Sequence, residues 1–315
     1  MSVFDWIVQV TGIALAVAAA PVFVGWVNQC RAWLQNKSAP SILLPYRGIR
    51  KLFHKDAVIA VNASPLFRLA PYVVFGAMVA AAAVIPSIAT RLPITQAADA
   101  IALVGLLATA RVFLSLAAMD VGTAFGTLGA RREMMIGFLA EPALLVVIFV
   151  FSLQCSTTAL PMIAERLSAQ SFALNPSLAF TAVAFTMVLL AENARIPVDN
   201  PATHLELTMI HEALLLEYSA RHLALMEWAA ALKLFNYACI GIAVFIPWGI
   251  ATSHAPLSLA VSILLLGAKL LAAGVGLAFV ETVSAKLRVF RAPEFLATAF
   301  LFAVLGLLVR LLLGA

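Results

Sequence analysis

The chain has 315 residues, 63% of them hydrophobic and 11% charged, with a mean hydropathy of +1.04 and a net charge of +5. Soluble domains are closer to about half apolar and a quarter charged, so the composition excludes a soluble globular enzyme and specifies an integral membrane protein. The fold class expected is an all-α, polytopic helix bundle forming one integral membrane domain over residues 1–315. In such a chain a basic excess sits in cytoplasmic loops and sets orientation. The lipid bilayer is therefore the expected surrounding, and no nucleic-acid partner is implied.

A span needs about 20 mostly apolar residues. Eight stretches qualify, at roughly 4–27, 67–90, 98–119, 134–155, 176–194, 227–249, 257–281 and 294–314. The first has Asp5 and no basic n-region, and its uncharged run lasts until Arg31, which predicts an uncleaved helix and not a signal peptide. Pro65, Pro93, Pro176, Pro197, Pro256 and Pro293 mark most of the breaks between spans. The odd-numbered connections, about 28–66, 120–133, 195–226 and 282–293, carry 13 Lys and Arg, among them Arg31, Arg47, Arg50, Lys51, Arg131, Arg132 and Arg195. The even-numbered side, termini included, has only Arg91, Arg166 and Arg310. The positive-inside rule then puts the odd connections in the cytoplasm and both termini on the outer side of the cytoplasmic membrane.

Residues 46–58, "YRGIRKLFHKDAV", are too charged to span. Ile49, Leu52 and Phe53 fall on one helical face with Arg47, Arg50, Lys51 and Lys55 around the rest, which fits a short helix lying at the surface. A solvated basic loop that only sets topology is the alternative. The Gly-rich "DVGTAFGTLGARRE" at 120–133 lacks the Lys-Ser/Thr of a P-loop and reads as a compact loop whose Arg131 and Arg132 meet the membrane surface or a partner.

Charges at membrane depth are expensive, by roughly 2.5–3.5 kcal/mol each on insertion scales. Arg111 falls near the middle of the third span, Glu141 in the fourth, and Glu192 at the cytoplasmic end of the fifth. Glu227 and Lys233 open the sixth, and Lys269 lies near the middle of the seventh, with Glu281 at its end. Acids and bases at a common depth can keep one another ionised. Two readings fit: a proton or ion path, and structural ion pairs that hold helices together.

The window 191–213, "AENARIPVDNPATHLELTMIHEA", concentrates charge at one connection. Pro197 ends the fifth span, since the residue before proline is pushed out of the α region. Asp199 or Asn200 caps the next segment, with Pro201 at a first helical position. The stretch from Ala202 on then has a helical period, with His204, Glu206, Glu212 and Glu217 around an apolar stripe of Leu205, Met209 and Leu216. His211-Glu212 begins like HExxH, but Leu215 occupies the second His position, so no zinc site is expected. Cys30, Cys155 and Cys239 show no CxxC spacing, and no GxSxG or GxGxxG is present.

Taken together, "ENARIPVDNPATHLELTMIHEALLLEYS" (192–219), "DVGTAFGTLGARRE" (120–133), "EPALL" (141–145) and "YRGIRKLFHK" (46–55) resemble the respiratory chain complex I subunit 1 family. The likeness is stronger to the branch found in membrane-bound nickel–iron hydrogenases, of the formate hydrogenlyase and hydrogenase-4 component C type. Val198 stands where respiratory members tend to carry Phe. The resemblance implies a non-catalytic membrane foot that joins a cytoplasmic redox arm to antiporter-like subunits. Its implied partners are hydrogenase large and small subunits, an iron–sulfur subunit and antiporter-like membrane subunits. The nickel–iron and iron–sulfur centres are then carried by those partners and no cofactor by this chain. The proton path implied runs through Glu141 and Glu192 with Glu206 and Glu212, beside Glu227, Arg111, Lys233 and Lys269. The docking surface implied includes Arg47, Arg50, Lys51, Arg131, Arg132, Arg195, Asp199 and Glu217. A quinone-site subunit of a respiratory NADH dehydrogenase-like complex and an autonomous ion transporter are the alternative readings.

Overall fold

The structure is a computed structural model that describes residues 3–97, 99–170, 175–195, 210–252, 255–284 and 291–313. Among these residues it is helical, with one isolated β-bridge between Ala89 and Ala251. The helices are α1 (Val3–Leu34), α2 (Leu44–Phe53), α3 (Pro65–Val84), α4 (Pro93–Ala97), α5 (Ala100–Asp120) and α6 (Ala124–Cys155). They continue with α7 (Leu160–Ala169), α8 (Pro176–Glu192), α9 (His211–Leu215), α10 (Ala220–Phe245), α11 (Pro256–Val283) and α12 (Ala292–Leu313).

Seven helices are long and apolar enough to cross a membrane: α1, α3, α5, α6, α10, α11 and α12. The remaining expected span is α8, an apolar helix of 17 residues. At 1.5 Å per residue it reaches about 26 Å, a little short of a ~30 Å hydrocarbon core. Prolines open several of these helices, where a missing N–H costs nothing. Pro65, Pro93, Pro176 and Pro256 are first residues, and Pro293 is the second residue of α12. Caps reinforce the starts: Ser64 accepts from Leu66 N at 3.1 Å and Asp99 from Ala102 N at 2.9 Å.

Boundaries moved where local chemistry outweighed hydropathy. The second span stops at Val84, short of 90, because Ile85 precedes Pro86 and adopts ψ 124°. The stretch 120–133 is largely helix and not loop. Gly122 makes the turn at φ 73°, and Thr123 caps α6, which then runs through the glycines. Gly129 is there for close packing, since a Cβ at that position would come within 2.8 Å of the Ala213 side chain on α9. Of the residues 46–58 expected to form a surface helix, those up to Phe53 are helical in α2, with Ile49 buried, Leu52 partly buried, and Arg47, Arg50, Lys51 and Phe53 exposed, while 54–58 are not helical. The sixth span begins earlier, at Ala220, and is separated from α9 by a short break.

Polar side chains bridge helices where an apolar solvent gives no hydrophobic drive for association. Asn236 donates to Met78 O at 2.9 Å, Gln9 to Ala83 O at 3.0 Å and Ser177 to Gly306 O at 2.7 Å. Tyr218, between α9 and α10, stacks on Phe67 at 4.1 Å and donates its hydroxyl to Phe67 O at 3.0 Å. Burial pushes that phenol's pKa up, which keeps it a donor. α11 leans on α1, and α12 on α8 and α6, so both leave much of their surface outward.

Candidate functional site

The buried charges converge on one guanidinium. Arg111, halfway along α5, is 6% exposed. It pairs with Glu141 of α6 and with Glu192, the last residue of α8, and its Nε lies 3.5 Å from Glu133 of α6. The second Glu192 oxygen takes Lys233 of α10 at 2.8 Å. The other Glu133 oxygen meets Nε2 of His211, the first residue of α9, at 3.1 Å. One cluster thus ties α5, α6, α8, α9 and α10 together.

The α6 sequence explains how one Arg reaches two acids on the same helix. Glu133, Gly137 and Glu141 recur every four residues and share a face. A Cβ on Gly137 would fall 2.3 Å from an Arg111 nitrogen, so the guanidinium lies directly over that glycine. Gly137→Ala is expected to destabilise the assembled chain by about 1–3 kcal/mol through overpacking. A lowered thermal midpoint in detergent is the measurement; an unchanged midpoint means the guanidinium has room to move.

Three carboxylates here face two cationic side chains, Arg111 and Lys233, with His211 as the sixth ionisable group. Burying ions is tolerated only with close partners and further hydrogen bonds. These acids and His211 are arranged around a guanidinium, and no group of three or more His, Cys, Asp or Glu placed to hold a metal ion is found among the described residues. Beside the cluster lies a cavity of about 130 Å³, lined by Arg111, Glu133, Glu192, His211 and Lys233 together with Met78 and Met226. At roughly 30 Å³ per molecule in the liquid, it has room for several waters.

Of the residues singled out from sequence, Arg111, Glu141, Glu192 and Lys233 meet in this cluster. Glu133 joins them, and sequence reasoning missed it. Lys269 sits elsewhere: it donates to the carbonyls of Ile246, at 2.7 Å, and Trp248, just past the end of α10. Ile246 is about 20 Å along the α10 axis from Lys233. Glu212 is exposed on α9 and Glu227 is exposed on α10. Glu206 and Asp199 lie outside the described residues, as do His204 and Pro197. Arg47, Arg50, Lys51 and Arg131 are exposed at the same end of the bundle as α9, with Arg132 and Glu217 partly buried there.

Arg195 is turned into the chain. Its guanidinium meets Glu281 at 3.3 Å, and Arg31 approaches the other Glu281 oxygen at 3.5 Å. Burial is the largest influence on Arg195 and pulls its pKa down, while the Glu281 charge opposes that pull. This second, smaller cluster ties the ends of α1 and α11 to the turn after α8.

The family model described as NADH dehydrogenase matches residues 7–312 of the chain. Formate hydrogenlyase subunit 4 of Escherichia coli (strain K12) is 30% identical over 289 residues, covering 92% of this chain and 93% of that protein. Hydrogenase-4 component C of the same organism is 34% identical over 230 residues, 73% of this chain and 71% of its own length. A chain from the membrane-bound sulfane sulfur reductase, an archaeal respiratory membrane complex, has a TM-score of 0.82 over 96% of this chain and 98% of that one. At 19% identity, that match is a likeness of fold. The protein belongs to the NADH dehydrogenase family of membrane subunits, in the branch that includes formate hydrogenlyase subunit 4 and hydrogenase-4 component C.

Proposed function

We propose that this chain is the membrane-anchor and proton-coupling subunit of a membrane-bound nickel–iron hydrogenase complex related to respiratory complex I. It has no reaction centre of its own in this reading. The observation that carries it is the Arg111 cluster. Among the described residues, three carboxylates share two cationic side chains, so these side chains hold one excess negative charge unless a proton sits on His211 or on a carboxyl. Opposite ends of the cluster also differ in access. His211 lies on the α9 end beside the cavity, while the Glu141 side chain is 33% exposed in a notch lined by Pro142, Leu145 and Phe300. A partly exposed carboxylate on the outer wall of a membrane bundle calls for a polar neighbour. An antiporter-like membrane subunit seated at this notch supplies one and receives the proton.

The exposed cations of α2 and the start of α6 support docking of the hydrogenase large, small and iron–sulfur subunits at the α9 end. Under the positive-inside rule the same cations put that end in the cytoplasm and both termini outside. The test is purification of the chain from its native membrane in mild detergent, with identification of what accompanies it. Hydrogenase subunits together with antiporter-like proteins are the expected result. Recovery of the folded chain alone contradicts the reading and favours an autonomous transporter.

A further inference from the structure

A groove of about 370 Å³ lies between α8, α10 and α11. Its walls run along α8 from Ala182 to Leu189 and along α11 from Ala273 to Val280, with Gly241 of α10 in its lining. The lining is apolar apart from Thr186 and Tyr237. On α10 it ends at Ile246, whose carbonyl accepts from Lys269. Along α10 it extends from Leu234 to Ile246. That is about 12 residues, or about 18 Å, a little over half of a ~30 Å hydrocarbon core. The groove has the depth of one leaflet.

The α11 wall of the groove ends at Val280, one residue before Glu281. Among the described residues, Arg31 and Arg195 share the single carboxylate of Glu281, which leaves one positive charge, and the Arg31 side chain is 45% exposed. An apolar slot one leaflet deep, headed by a surplus cation, matches the two halves of a lipid that carries a net negative charge. We propose that the groove holds an acyl chain of an anionic phospholipid of the bilayer, with its phosphate on Arg31 beside the Glu281–Arg195 pair. The lipid fills the space between α8 and α11, which protein side chains leave open.

Native mass spectrometry of the full-length chain, titrated separately with phosphatidylglycerol and phosphatidylcholine, tests this. A Cβ on Gly276, which lines the groove, meets nothing within 4 Å, so Gly276→Leu projects into its open space. Wild type is expected to retain phosphatidylglycerol over phosphatidylcholine. Arg31→Gln is expected to weaken phosphatidylglycerol by about fivefold and leave phosphatidylcholine unchanged. Gly276→Leu is expected to remove one bound equivalent of either lipid. Equal retention of both lipids by all three chains overturns the proposal, leaving annular lipid only. So does a cross-link from Gly276→Cys to another subunit in the intact complex, which makes the groove a helix-docking site.

Discussion

Glu141→Gln is expected to abolish proton translocation while the complex still assembles. Glutamine keeps the size of the side chain and an oxygen for Arg111, but it has no proton to release. With Glu141 neutral, two carboxylates face two cationic side chains, and the cluster no longer calls for an extra proton. The side chain is one-third exposed, so removing its charge leaves less uncompensated than the same change at a fully buried acid. Groups that transfer protons in a working path contribute on the order of 10² or more to rate. In inverted membrane vesicles, acidification should therefore fall to background. Electron transfer to an artificial acceptor, which bypasses the membrane part, should stay within about twofold of wild type by the same reasoning. Normal acidification would remove Glu141 from the path, and a passive-anchor role for the chain would then explain the cluster as ion pairs alone.

The largest effect on folding is expected from Arg111→Gln. It takes the shared partner from Glu133, Glu141 and Glu192 at once. Removing one member of a buried ion pair typically costs about 3–5 kcal/mol, against a total stability of about 5–15 kcal/mol for an ordinary domain. Little or none of the variant chain should be recovered from the membrane fraction. Arg111→Lys keeps the charge without the planar fork, and should restore part of the lost material. Quantitative immunoblotting of membranes reads both. Wild-type levels of Arg111→Gln would show that the cluster contributes nothing to holding the bundle together. Glu192→Gln should fall between the two extremes, because Glu192 is buried and serves both Arg111 and Lys233.

Much of this organisation is legible in the chain. Apolar length located seven long spans and the shorter helix α8 to within a few residues at most ends, because twenty greasy residues in a row have few other uses. The depth of Arg111, Glu141, Glu192 and Lys233 followed from counting along those spans, and the four meet in space. Glu133 was hidden by its neighbours. It follows Arg131 and Arg132 in a stretch rich in glycine, which reads as loop, and the turns of α6 that bury it are held by close packing on α9. The recurrence of Glu133, Gly137 and Glu141 at four-residue steps was the available signal. Lys269 has the right depth by residue count but the wrong neighbour. It caps the carbonyls at the end of α10, which stops at Phe245 and not at 249, and no hydropathy pattern marks that end. Glu281 reads as an interfacial residue because it ends a span, yet it is buried between Arg31 and Arg195, which come from distant parts of the chain. Pairings between segments so far apart depend on helix packing, and periodicity within one helix does not carry them.

A mobile proton in the Arg111 cluster has an infrared signature, since a carboxyl that gains or loses a proton changes its C=O stretch. Redox-induced infrared difference spectroscopy on the intact complex reads that change. The expected spectrum has a protonated-carboxyl band that shifts in deuterium oxide and is lost or displaced in Glu141→Gln. A wild-type spectrum with no carboxyl change, or a band that the variant leaves untouched, would mean that the cluster holds no mobile proton and only ties the helices together.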